Sequence, residues 1–425
     1  MSAVPTSDLE TSVLAHLDEV ALVDTLARLV RVPSVAGTEA ECEVQELCAE
    51  LLAEEGVTVD RWDIDLDELT EDPWFPGNEA ARSRAVGVVG TSAGDGDPAL
   101  ILQGHLDVVP PGDPETWQGT DPFSAEIREG RLYGRGACDM KAGVAVNLAV
   151  ARTLRAAGVA LERPLAVHCV IGEEDGGLGA FATLRRGHRG DAAVISEPTG
   201  GRIVSATAGA LTFRLEVAGR SAHGSMRREG VSAFEAFLPV YHALRDLEAS
   251  RNTEIDPLFD SDLPYALSMG MIQSGEWASN VPDKLVAEGR LGVRLDEDPR
   301  QARLALEDAI TEASAGDPWL LENRPVVTWP GGQFASGRLD PEHPLIGEVQ
   351  SAVIDASGQP PPALSAEVYG SDLRLYAGIG GIPTLHYGPG DIRVAHGPQE
   401  YVDLDDVVAA ARALTLLTLR RCGAC

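Results

Sequence analysis

His105 and Asp107 stand two residues apart in the stretch A-L-I-L-Q-G-H-L-D-V-V-P, where an apolar run ends in a glycine. On an extended backbone residues i and i+2 point to the same side, so an imidazole and a carboxylate meet where a core strand enters a loop. A metal-ligating imidazole donates its second ring N–H to a carboxylate or carbonyl, a need Asp107 is placed to serve. Taken alone, the pair reads first as a satisfied polar loop. Further acidic and imidazole side chains follow at comparable places. Asp139 follows the glycine-rich G-R-G-A-C, and Glu173 and Glu174 are adjacent after P-L-A-V-H-C-V-I-G. Glu197 ends D-A-A-V-I-S-E, and His396 lies in R-V-A-H-G-P-Q-E-Y-V. Asp139 alone would pass as a helix cap. Two neighbouring, partly buried carboxylates repel and raise a pKa unless cations compensate. Two imidazoles with several carboxylates suit a pair of divalent ions such as zinc, which binds nitrogen and carboxylate oxygen at about 2.0–2.2 Å. Two such ions about 3.5–4 Å apart can share one carboxylate and one water, leaving another carboxylate to take the water's proton.

The elements that must position these residues can be read from periodicity. Apolar positions predict a helix over 8–33, closed by Pro33, and a second over 38–55. A strand follows at 57–63. The acidic stretch 65–83, with Pro73 and Pro76, reads as an excursion over the surface. G-T-S-A-G at 90–94 matches a nucleophile elbow in letters only. It is followed by D-G-D-P and another strand, which is hairpin chemistry and not the strand–turn–helix an elbow needs. A short hairpin is expected over 125–133, turning at Glu129-Gly130. Apolar strands ending near 105, 171 and 197 alternate with helices, one of them at 144–157. That is the grammar of a largely parallel sheet, in which ligands bind beyond the carboxyl ends of the strands. His105, Glu173, Glu174 and Glu197 all fall at such ends.

At about residue 206 the pattern changes to one-sided alternation. Strands at 211–217, 266–273, 284–295 and 325–329 and helices at 231–250 and 299–315 give the order β-α-β-β-α-β of ferredoxin-like sandwiches. The expected architecture is α/β: a mainly parallel-sheet domain in two parts, 1–205 and 330–425, with an inserted α+β domain at 206–329.

Length allows such a multi-domain core. The 66 acidic against 34 basic residues give a net charge of −32, which argues against nucleic acid or an anionic membrane as partner. The first residues lack a basic and then apolar leader, and no apolar run approaches the roughly 18 residues of a membrane span, so a cytoplasmic protein is expected. The six cysteines show no disulfide spacing. The terminal pair Cys422 and Cys425 reads as a frayed tail rather than a zinc or redox site.

In this order the motifs G-H-L-D-V-V-P, Y-G-R-G-A-C-D-M-K-A-G, G-E-E-D-G-G, S-E-P-T and A-H-G-P-Q-E-Y-V resemble the M20 family of metallopeptidases and deacylases over nearly the whole chain. The acetylornithine deacetylase and succinyl-diaminopimelate desuccinylase branch looks nearest. The resemblance implies two zinc (or cobalt) ions: His105 and Glu197 on one, Glu174 and His396 on the other, Asp139 bridging. It implies Glu173 as general base and then general acid, supported by Asp107. The inserted domain resembles the family's lid and dimerisation domain, which implies a homodimer. His223 in S-A-H-G-S matches the histidine that reaches the partner's site to stabilise the oxyanion. Asn280, Arg294, Gly370, Ser371 and Asp372 match positions that line the substrate pocket. S-E-P-T replaces the commoner G-E-P-T, and the 65–83 excursion is long. The implied activity is removal of an acyl group from an N-acyl amino acid or related amine. The alternatives are a dipeptidase or carboxypeptidase, an N-formyl pyrimidine deformylase, and a catalytically dead binding scaffold.

Overall fold

A computed structural model describes residues 7–118 and 120–424. The helix expected over 8–33 is two helices, α1 (Asp8–Leu14) and α2 (Glu19–Val30). The break has a local cause. The Asp18 carboxylate accepts the Ala21 N–H at 2.9 Å, and an N-cap residue is itself not helical. Next come α3 (Ala40–Glu54) and β1 (Thr58–Asp63). The 65–83 stretch contains α4 (Leu66–Glu71) and does not simply skirt the surface as expected. Leu69 is buried, and the Arg82 side chain is 2% exposed between Glu41 and Asp175. Ion pairing is what permits a guanidinium that depth.

β2 (Val86–Thr91), β3 (Leu100–His105), the hairpin β4 (Glu126–Arg128) and β5 (Arg131–Tyr133), α5 (Ala142–Ala156), β6 (Leu165–Val170), α6 (Leu178–Arg185), β7 (Ala193–Ile195) and β8 (Ile203–Thr207) follow. Glu129 and Gly130, both with positive φ, make the predicted hairpin turn. The main sheet runs β1-β2-β6-β3-β7, then the strand Thr384–His386, then β8. Its central strands β6, β3, β7 and Thr384–His386 are mutually parallel. β3, β6 and β7 are buried along their whole length, as a sheet covered on both faces requires. The hairpin expected between β2 and β3 does not form. β6 lies between them, antiparallel to β2 and parallel to β3. Ser92 extends the β2–β6 ladder: its N–H donates to the Leu165 carbonyl and its hydroxyl accepts the Leu165 N–H. No helix follows it, so no nucleophile elbow exists there.

The end of the chain is not frayed as far as it is described. Cys422 is buried at the end of the terminal helix Leu404–Cys422, and the carbonyls of Cys422 and Gly423 accept N–H groups from Arg163 and Glu162. Cys425 lies outside the described residues. Among the described residues no helix is long and apolar enough to cross a membrane.

The chain divides into two units. One runs up to Ala206 and takes Arg338–Ser365 and everything from Asp372; the other comprises Thr207–Gly337 and Ala366–Ser371. The second unit holds β9 (Gly209–Ala218), α7 (Ala233–Arg251), β10 (Leu267–Ser274), β11 (Lys284–Val293), α8 (Pro299–Ala315) and β12 (Val326–Thr328). Their order β10-β11-β9-β12, antiparallel throughout, is that of a split βαβ sandwich. The unit extends past residue 329 because Gln333 and Phe334 also pair with β9.

In the first unit α5 explains its own run of small residues. Every residue from Ala142 to Ala151 is buried, and the helix packs against α2, β3 and the terminal helix. At Gly143 an added Cβ would lie 2.0 Å from the Ser196 carbonyl oxygen, so the strand-to-helix contact demands glycine. Gly143→Ala is expected to lower stability by about 3 kcal/mol, read as a fall in the urea midpoint at unchanged slope.

Candidate metal centre

Parallel pairing sets the site. His105 is in register with Val170, and Gln103 with Ile195. The residues just beyond β6 and β7, among them Glu173, Glu174 and Glu197, therefore emerge at the same sheet end as His105. A smaller sheet brings in the remainder. Tyr401–Asp403 pairs antiparallel with β5, so residues 396–400 approach it as residues 134–139 leave it.

His105 points its Nδ1 at the Asp107 carbonyl, 3.0 Å away. A carbonyl only accepts, so Nδ1 carries a proton and Nε2 is the nitrogen left to face the cluster. That Nε2 lies 3.1 Å from Asp139 Oδ1 and 3.9 Å from Glu197 Oε1. Asp139 turns its other oxygen, Oδ2, to His396 Nε2 at 3.4 Å, and the same nitrogen is 3.1 Å from Glu174 Oε1. Ligand atoms of His105, Asp139 and Glu174 all fall within 4.8 Å of one another. Asp139 thus stands between two imidazole–carboxylate groups. The Asp107 carboxylate is buried and accepts the backbone N–H of Glu173 at 3.2 Å and of Glu174 at 3.1 Å. One side chain thereby holds the acidic turn and lies against His105. No described residue donates a hydrogen bond to the Glu173 carboxylate, although it is 7% exposed.

The electrostatics show a charge deficit. Burial pushes Glu173 and Glu197 well above the carboxylate range, and the neighbouring carboxylates add to this while His105 opposes it. Burial and Asp139 raise Glu174 to about 7 against its bond from His396. Burial would also raise Asp139, but hydrogen bonds from His105 and His396 outweigh it and hold the group low. Bonds to Asp139 and Glu174 lift His396 to about 10. His105, despite burial, is driven well up by Asp139 and the surrounding carboxylates. Protons are standing in for missing positive charge. A hard or borderline dication answers that deficit, and imidazole with carboxylate is the donor set zinc favours. The residues fit a metal.

The supports of this cluster are absent from the residues that the sequence pattern marks. Glu400, buried, accepts the N–H of Cys138 at 3.0 Å and of Asp139 at 3.1 Å, and pairs with buried Arg135. Arg135 also donates to the His396 carbonyl at 3.0 Å. Each stands four residues from a candidate ligand (135 and 139, 396 and 400). A charged residue so placed in a glycine-rich loop was the available signal. Asp372 accepts from Gln103 at 2.9 Å, and burial raises it to about 6 against nearby Arg374.

The other proposed residues lie in the second unit. His223 is exposed, its Nδ1 bonded to Ser225, and its backbone bridges to Asn280. Arg294 gives Nε to the Arg251 carbonyl and Nη2 to the Ser250 carbonyl, capping the end of α7. Gly370 faces Phe334, and Ser371 is buried.

Glu400→Gln should weaken uptake of zinc or cobalt by about 10–100-fold, measured by competition with a chelating dye. In the metal-free protein Glu174 keeps its proton below about 7 and His396 below about 10. Metal must expel these protons, so affinity should rise from about pH 6 to about pH 8, with proton release visible by calorimetry in buffers of different ionisation enthalpy.

Residues 101–420 match peptidase family M20/M25/M40. The chain is 28% identical over 404 residues to the N-formyl-4-amino-5-aminomethyl-2-methylpyrimidine deformylase of Bacillus subtilis (strain 168), covering 89% of each chain. It is 31% identical over 339 residues to the acetylornithine deacetylase of Myxococcus xanthus, covering 78% of this chain and 82% of that one. Its fold is similar to that of a tripeptidase from Staphylococcus aureus, with a TM-score of 0.74 at 19% identity over 96% of this chain and 99% of that one. Three quarters of the sequence carrying one family's pattern, with the imidazole–carboxylate cluster inside it, place this chain in the M20/M25/M40 peptidase family, as a hydrolase of amide bonds.

Proposed function

We infer that the protein is a deacylase that hydrolyses the linear amide of an N-acylated amine or amino acid with the help of two divalent cations, zinc or cobalt. The observation that carries this reading is Asp139 held between His105 and His396, with a buried Glu173, unbonded among the described residues, in the field of His105, Glu174 and Glu197. His105 and Glu197 would hold one cation, Glu174 and His396 the other, and Asp139 both. Bound there, such cations would supply Lewis acidity toward the scissile carbonyl and a lowered pKa for water.

The chain's own groups do the remainder. Glu173 takes the proton of the attacking water and delivers it to the nitrogen of the leaving amine as the C–N bond breaks. Having no hydrogen-bond donor of its own, it is free to accept. Asp107 fixes the backbone of Glu173 and Glu174, so that base and ligand share one frame. Asp372, Gly370, Ser371 and Asn280 would contact substrate. Arg294 retains Nη1 for a substrate carboxylate, its other nitrogens being engaged with α7. His223 would stabilise the oxyanion from the partner subunit of a homodimer. Exposed Phe234, Leu238 and Tyr241 along α7 and Met271 and Ile272 on edge strand β10 support such a partner.

Likeness to a deformylase over 89% of this chain and to a deacetylase over 78% of it favours a small acyl group on a primary amine as substrate. A panel of N-formyl aminomethylpyrimidine, N-acetylornithine, N-succinyl-diaminopimelate, other N-acyl amino acids and dipeptides, assayed with zinc or cobalt, tests this. Turnover of at least one acylated amine is expected. Silence across the panel with metal bound would overturn the reading, and turnover of dipeptides alone would make the protein a peptidase. Glu173→Ala should keep its metal while kcat falls by a factor on the order of 10² or more; metal and activity lost together would remove Glu173 from its role.

A further inference from the structure

Arg82 belongs to the 65–83 stretch, before the family match begins at residue 101. Its guanidinium is nevertheless buried directly behind the acidic turn. Nε and Nη2 donate to the two oxygens of Glu41, both at 2.8 Å. Nη1 and Nη2 donate to the two oxygens of Asp175, at 2.8 and 2.9 Å, and Nη1 also donates to the Ala80 carbonyl at 3.2 Å. All five N–H donors are used, in two forks that only a planar guanidinium can make. The side chains of Arg82, Glu41 and Asp175 are 2%, 1% and 6% exposed.

Asp175 is the residue after Glu174. Its Oδ2 takes the Ala80 N–H at 2.7 Å and its carbonyl takes the Glu79 N–H at 3.1 Å, so the turn is tied to the 65–83 stretch by backbone as well as side chain. On the other side Glu41 accepts the Gly37 N–H and carries the clamp to α3. The same turn hangs from Asp107 by the N–H groups of Glu173 and Glu174. It is therefore gripped at two places, one of them Arg82.

We propose that Arg82, braced by Glu41, is a positioning residue for this reaction: through Asp175 it sets the placement of the turn bearing the base Glu173 and the ligand Glu174. This rests on the function inferred above. A buried ion cluster is weak evidence for stability and better suited to fixing one geometry. The 65–83 stretch is then part of the catalytic apparatus.

Arg82→Lys tests the forks, because lysine keeps the charge and cannot make them. In the metal-loaded enzyme kcat should fall about tenfold or more while KM changes less than about threefold; cobalt affinity should weaken about tenfold, with an altered cobalt absorption spectrum. Glu41→Gln, which spoils one arm of one fork, should move all three in the same direction by less. A folded Arg82→Lys protein with wild-type kcat, cobalt affinity and spectrum overturns the proposal. Should Arg82→Lys fail to fold, wild-type values in Glu41→Gln overturn it equally, and failure of both to fold makes the cluster a folding element and overturns it too. If the wild type binds cobalt but hydrolyses nothing, the function falls and the cobalt measurements alone judge Arg82. Absence of cobalt uptake by the wild type defeats both.

Discussion

Carboxylates buried without enough positive charge around them are what the rest of this structure has to accommodate. A buried ionised carboxylate needs pairing, hydrogen bonds or a cation. The molecule sorts its acids accordingly. Glu41 and Asp175 are paired with Arg82, and Glu400 with Arg135. Among the described residues Asp139, Glu174 and Glu197 are answered by imidazoles and Glu173 also by the field of Arg374, and those imidazoles are drawn toward protonation in consequence. The division is functional. Arginine-paired acids hold backbone in place, whereas the unpaired ones converge where a cation can be exchanged and a proton moved.

Bringing such groups together is opposed by their repulsion, so the fold must impose it. Three parallel strands do so, because their carboxyl ends share one rim and their buried faces forbid a slip in register. The β5 pairing with Tyr401–Asp403 does the same for Asp139 and His396, which are far apart in the chain. Backbone donors then absorb part of the charge: Asp107 and Glu400 each accept two main-chain N–H groups. In both cases the groups so fixed are turns that bear candidate ligands, so hydrogen bonds that satisfy one buried acid also aim another.

What could be read in the sequence follows from range. An apolar run ending in an acid or a histidine is a local signal, and it marked His105, Glu173, Glu174 and Glu197 as strand-end residues, which the parallel register brings to one end of the sheet. Alternation located the ferredoxin-like unit, since one-sided burial leaves a mark within each strand. The hairpin assigned to β2 and β3 failed because sheet neighbours need not be chain neighbours, and β6 inserts from 74 residues later, Thr91 to Leu165. Arg135–Glu400 and Arg82–Asp175 span 265 and 93 residues, and no periodicity reports a pair at that distance. Arg82 was further disguised by its surroundings, as an acidic, proline-containing stretch reads as solvated surface.

The two imidazoles are not equivalent. The His105 side chain is 1% exposed and that of His396 is 51% exposed. His105 is fixed by a core strand and by its bond to the Asp107 carbonyl. His396 sits in a loop at positive φ, with its carbonyl held by Arg135. A candidate ligand on a core strand has its position set by the sheet, whereas one on an exposed loop takes its position from the bracing behind it. The closed half of the site therefore supplies the fixed geometry. The open half meets solvent through His396, whereas the Glu174 side chain beside it is 9% exposed and its turn is gripped by Asp107 and Arg82.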